Sequence, residues 1–178
     1  MAEHAIDVEE ARRRVLARVR PLASHPVALD EALDRILAND VSAEQDVPGF
    51  DNSAMDGFAV LAADTATPPT VLRVVGESRA GRPARVTLSP GHAIRISTGA
   101  MVPETADAVV PVEDTREAHD GEVEVTATVH SGHHVRRAGE DIRAGDVVLR
   151  AGMALGPAEL GVLAALGVEA PPCARRPR

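Results

Sequence analysis

Between about residues 40 and 150 the chain is cut into short apolar alternations by Gly, Pro, Asp and Asn, and this punctuation limits the fold more than any other feature. "TVLRVVGESRAG", "HAIRIST", "ADAVVPVEDT", "EVEVTATVHSG" and "DVVLRAG" each read as one short strand. Turn chemistry falls at Ser89-Pro90-Gly91 and at Asp120-Gly121. No helix here is long enough for a βαβ unit. Strands at this spacing predict a small β-sandwich or barrel-like domain.

The two ends read differently. Asp7 caps a helix predicted over 7–20, with Glu10 three residues on, Ile6 placed to staple onto Ala11, and Pro21 stopping it. A second helix is predicted at about 30–38, with Ala32, Leu33, Ile36 and Leu37 on one side. Gly156-Pro157 opens a last helix, and Gly167 closes it. "VEAPPCARRPR" reads as an exposed linker. The fold class is therefore α+β and β-rich: a small helical or mixed domain (1–45 plus 146–178) with an inserted β domain (46–145).

Composition removes several chemistries. The 178 residues carry a net charge of −8, so nucleic acid and anionic membrane are not expected partners. No apolar run approaches a membrane span and no signal core is present, which places the chain in the cytoplasm. Cys173 is the single cysteine, so there is no disulfide within the chain. All basic residues are Arg, so Schiff-base and P-loop lysines are absent. The seven histidines form no ligand pattern; His133 and His134 in a strand point to opposite faces.

Three stretches concentrate groups that a core does not need. The first is "DNSAMDG", 51–57, flanked by both phenylalanines, Phe50 and Phe58, as anchors. It is either a self-bonded turn or a loop offering carboxylates to a hard cation. The second is Ser97-Thr98-Gly99 after a strand: a glycine turn, or a hydroxyl and bare amide beside an anion. The third is "RRAGED", 136–141: a solvated charge cluster, or guanidinium forks for oxyanions with a carboxylate that joins Asp56 at a metal.

In order, "FDNSAMDGFAV" (50–60), "RISTGA" (95–100), "ADAVVPVE" (106–113) and the run from Val135 to Gly167 resemble the N-terminal part of the molybdopterin molybdenumtransferase family, which includes MoeA and the gephyrin E domain. The resemblance implies an enzyme that inserts molybdenum from molybdate into adenylylated molybdopterin, releases AMP and depends on Mg²⁺. It implies elongated homodimers with active sites shared between subunits. It maps catalytic roles onto Asp56, Thr98 and Asp141, metal ligation onto Asp56 and Asp141, and substrate contacts onto Asn52, Ser53, Gly99 and Arg137, with Asp51 in support. Phe58 stands where many relatives carry Tyr. The family's C-terminal pterin-binding domains do not follow "CARRPR", so this chain is expected to supply half of a site and to be inactive alone. The alternatives are a non-catalytic dimerisation module of the same family and a stand-alone ligand-binding β domain.

Overall fold

The computed structural model describes residues 6–118 and 120–177. In chain order its elements are α1 (Val8–Leu16), β1 (Ser24–Pro26), β2 (Val41–Ser42), β3 (Asn52–Ser53), β4 (Gly57–Val60), β5 (Thr70–Ser78), β6 (His92–Ile96), β7 (Ala108–Pro111), β8 (Thr115–Glu117), β9 (Glu122–Val125), β10 (Val135–Arg136), β11 (Val147–Leu149), α2 (Pro157–Ala165) and β12 (Pro172–Ala174). They divide into two compact units, one from Met1–Ser42 with Val147–Arg178 and one from Ala43–Asp146.

The first unit is held by pairing between the two ends of the chain. β1 runs antiparallel to β12, with His25 opposite Cys173, and β2 runs antiparallel to β11. Leu37, Leu155, Leu163 and Cys173 are fully buried in it. Burial pushes the Cys173 thiol above its usual value. The predicted exposed linker is thus a paired strand at 172–174: its alternation was too short to register beside two prolines and three arginines.

The predicted helix at 30–38 does not form. A 3₁₀ turn covers Leu29–Glu31, and Asp34 then takes a left-handed φ of 59°. The following segment pairs with the 153–155 stretch through Leu37 N–H to Met153 C=O (2.8 Å) and Leu155 N–H to Arg35 C=O (2.8 Å). Leu33 and Ile36 are left exposed while Ala32 and Leu37 are buried. Four apolar residues at helical spacing are weak evidence when long-range backbone partners are available.

α1 begins at its expected cap, with Glu10 N–H donating to Asp7 Oδ1 at 2.8 Å, but ends at Leu16 rather than running to 20. None of its residues is buried, and Val8, Val15 and Leu16 are exposed. α2 has Pro157 in its first turn, and Glu159 accepts from the Gly156 N–H at 2.9 Å. Gly161 sits exposed inside α2, with open space where a Cβ would be. Gly161→Ala is therefore expected to raise stability by roughly 0.5–1 kcal/mol, read as a higher midpoint in urea. A lower midpoint contradicts this account of α2.

The second unit is built on a curled six-stranded sheet in the order β7-β4-β6-β5-β9-β8. All neighbours are antiparallel except β5 and β6. β4 and β7 are buried along their whole length, which explains their unbroken apolar runs. Phe58, Val60, Leu72 and Val110 pack on one side, and Ala59, Ile94, Ile96 and Val109 on the other. The turn at Ser89-Pro90-Gly91 is closed by His92 N–H to Ser89 C=O (3.1 Å).

Candidate active site

β3 is a two-residue strand, yet it organises the first motif. Asn52 pairs with Arg136 of β10 on one side and with Met101 on the other. Ser53 N–H donates to Ala100 C=O at 3.0 Å, and Gly99 N–H donates to Ser53 C=O at 2.8 Å. All three sequence motifs therefore meet at β3. Asn52 and Ser53 are buried and engaged locally. Asn52 Nδ2 donates to Phe50 C=O (3.3 Å) and Ser53 Oγ to Met55 C=O (2.5 Å). Their side chains tie the loop into a turn.

Just past that turn the backbone is pinned at Gly57. A Cβ there would lie 2.0 Å from the Val110 carbonyl oxygen, so the approach of β4 to β7 admits only glycine. Asp56 C=O accepts from Val112 N–H at 3.0 Å. The exposed Asp56 carboxylate then faces the second motif: its Oδ1 accepts from the Thr98 backbone N–H (2.7 Å) and from Thr98 Oγ1 (3.0 Å). Gly99 turns the chain with φ 76° immediately after. The Thr98 amide, and next its hydroxyl, hold the Asp56 carboxyl below its usual 3.8.

The third motif is clamped to the first by Asp51. Ala138 N–H donates to Asp51 Oδ1 (2.8 Å) and Arg137 Nη1 to Asp51 Oδ2 (2.5 Å). The Ala138 amide first, opposed by partial burial and helped by the Arg137 guanidinium, lowers the Asp51 carboxyl. Asp141 is bound by the Arg136 guanidinium. Among the described residues no hydrogen bond or ion pair joins Asp141 to Asp56 or Thr98, and no cluster of three or more His, Cys, Asp or Glu residues could hold a metal. The structure thus brings Asp56 and Thr98 into contact, places Arg137 on Asp51, and leaves Asp141 on Arg136.

Two details of the sequence reading change. Phe58 is buried under the Arg95 guanidinium, 5.0 Å from its ring centre, but Phe50 is 43% exposed, so one phenylalanine rather than two anchors the loop. His133 and His134 are not in a strand: His134 has φ 55° and the two rings sit 4.1 Å apart.

Asp51 and Asp56 make the region acid-sensitive. A carboxylate whose value is lowered on folding contributes stability at pH above its unfolded value of 3.8, and that contribution is lost as pH falls through the folded value. The double variant Asp51→Asn, Asp56→Asn is expected to show a flatter decline in melting temperature than wild type between about pH 5 and pH 3. Parallel declines would remove the two hydrogen-bonded carboxylates from the acid response.

The fold and these motifs define a recognisable class of protein. A family model described as the MoeA N-terminal region (domain I and II) matches residues 6–167, and the chain belongs to that family. It is 45% identical over 175 residues to molybdopterin molybdenumtransferase 2 of Mycobacterium tuberculosis, covering 96% of this chain and 43% of that protein. It is 39% identical over 172 residues to the molybdopterin molybdenumtransferase of Haemophilus influenzae, covering 96% and 42%. The crystal structure of the molybdopterin biosynthesis moeA protein from Pyrococcus horikoshii OT3 superimposes with a TM-score of 0.86 at 35% identity, over 93% of this chain and 45% of that one. The chain spans less than half the length of these relatives. No described helix is long and apolar enough to cross a membrane.

Proposed function

We propose that this chain supplies the N-terminal portion of a molybdopterin molybdenumtransferase, inserting molybdenum from molybdate into adenylylated molybdopterin with release of AMP. The observation that carries the reading is the contact of Asp56 with Thr98: a charged carboxylate on the surface, held by an amide and a hydroxyl from a strand end 42 residues away. A carboxylate fixed in this way suits a divalent cation, and it is the cation that would balance the charge of a phosphoanhydride.

Asp56 and Asp141 each keep one carboxylate oxygen without a protein partner among the described residues, Asp56 Oδ2 and Asp141 Oδ1. Each offers one hard oxygen donor, and no contact among the described residues brings the two carboxylates together. A single such carboxylate fits Mg²⁺, which completes its ligands with water and substrate phosphate, and not a metal that needs His or Cys. Mg²⁺ bound there supplies charge neutralisation at the phosphates. In this reading Thr98 fixes the orientation of Asp56, Arg137 fixes Asp51 and so the 136–141 loop, and Asn52, Ser53 and Gly99 shape the rim.

The isolated chain is expected to be inactive and to gain activity when completed. The test joins it to the C-terminal portion of the M. tuberculosis transferase 2 and measures AMP release from adenylylated molybdopterin with molybdate and Mg²⁺. Turnover by the chimera and none by the chain alone is the expected result. Absence of turnover in a folded chimera favours the second reading, a dimerisation module without chemistry. We also propose a homodimer, supported by the exposed Val8, Val15 and Leu16 of α1. Light scattering is expected to give twice the chain mass, and a monomer at micromolar concentration refutes it.

A further inference from the structure

The loop after β5 carries three arginines, Arg79, Arg82 and Arg85, in a chain of net charge −8. Arg79 and Arg82 exchange both backbone hydrogen bonds (3.1 and 2.9 Å) around Ala80-Gly81, where Gly81 has φ 73°. Residues directly opposed in this way project from the same face of the ribbon, and two like charges there are unfavourable. The fold gains nothing visible from that arrangement. Arg79 is balanced by Glu77 at 2.8 Å. Arg82 and Arg85 have no carboxylate in ion-pair range among the described residues. Together with Pro83 and Val86, these four charged residues line a cavity of about 450 Å³ that retains an excess positive charge.

The position of this hairpin follows from the single parallel pairing in the sheet. β5 and β6 run the same way, with Ser78 opposite Ile96, so both strands end together. Ser97 N–H donates to Ser78 C=O at 3.1 Å, and Ser78 Oγ donates to Met101 C=O at 2.7 Å. Arg79 therefore leaves the sheet beside Ser97, the neighbour of the Thr98 that holds Asp56. The loop also flanks the 101–105 segment, with which Arg85 and Val86 line a second cavity of about 280 Å³.

We propose that the Arg79–Arg82 hairpin with Arg85, which leaves the sheet at the strand ends leading into Thr98, is a phosphate-recognition site that takes the diphosphate of a nucleotide-type ligand. Guanidinium forks match phosphate oxygens two at a time and stay charged at any working pH. The cavity is within the size range of small-ligand sites. The anion site stands on the geometry alone. That its occupant is the phosphoanhydride of adenylylated molybdopterin rests on the function proposed above.

Calorimetry of the 178-residue chain with inorganic pyrophosphate tests the site. Wild type is expected to bind, more weakly as sodium chloride rises. The double variant Arg82→Gln, Arg85→Gln is expected to lose roughly tenfold or more in affinity with an unchanged melting temperature, since charge-assisted hydrogen bonds are removed. Arg82→Lys, Arg85→Lys keeps the charge without the fork and is expected to fall between. Failure of wild type to bind, or equal binding by the glutamine variant, overturns the site. In the chimera the glutamine variant is expected to raise KM for adenylylated molybdopterin roughly tenfold. An unchanged KM overturns the substrate assignment, while the transferase reading itself stands or falls separately on Asp56→Asn.

Discussion

Gly57→Ala is expected to lower stability by about 3 kcal/mol or more, because a methyl group has nowhere to go. The added carbon would sit 2.0 Å from the Val110 carbonyl oxygen and 2.9 Å from its carbon, both backbone atoms of a buried strand. β4 lies between β7 and β6, with Gly57 opposite Pro111 and Ile96, so it cannot slide away from one neighbour without losing the other. A loss of this size corresponds to a fall of roughly 12 °C or more in melting temperature for a unit of this length. Differential scanning calorimetry of the variant reads it directly. A melting temperature within a few degrees of wild type would falsify the close strand approach. The effect also reaches the site, since Gly57 is the residue after Asp56.

The second large effect is on chemistry. Asp56→Asn in the active chimera is expected to cut AMP release at least about a hundredfold, the usual loss when a preorganised charged group is removed from a transition state. The substitution keeps size and shape, and the amide oxygen still accepts from the Thr98 N–H, so the fold is retained. What disappears is the negative charge. Thr98→Ala removes only the hydroxyl bond of 3.0 Å and leaves the 2.7 Å amide bond, so its loss is expected to be smaller, about tenfold. That ordering is part of the claim: Thr98 orients, Asp56 acts. Equal turnover in Asp56→Asn and wild type, at equal melting temperature, removes Asp56 from the reaction.

How much of this was legible in the sequence depends on the range of the interactions. Strands β5, β6, β7, β9 and β11 were readable because their alternation is local and their ends are marked by Gly, Pro and Asp. α2 was readable because Pro157 and Gly167 are local signals. The 30–38 segment misled because its partner lies more than a hundred residues on, at 152–155, and no local pattern announces that pairing. The same distance hid β12. At the site, the residue types were readable and the meeting of Asp56 with Thr98 was not derivable from them. It requires β4 and β6 to pair antiparallel with Gly57 opposite Ile96. The resemblance assigns Asn52 and Ser53 to substrate contacts; the sequence did not show that both are buried and bonded to the loop backbone. The arginine hairpin carried a visible signal, three identical charges at three-residue spacing in an acidic chain, that gains meaning only once β5 and β6 are known to run in parallel.

The insert's entry and exit coincide. Ala43 N–H donates to Asp146 C=O at 2.9 Å, and Gly145 N–H donates to Ala43 C=O at 2.8 Å. A module whose two boundaries are stitched to each other needs no scaffold to bring its ends together. It is expected to fold when excised or joined end to end, carrying Asp56, Thr98 and the guanidinium hairpin together.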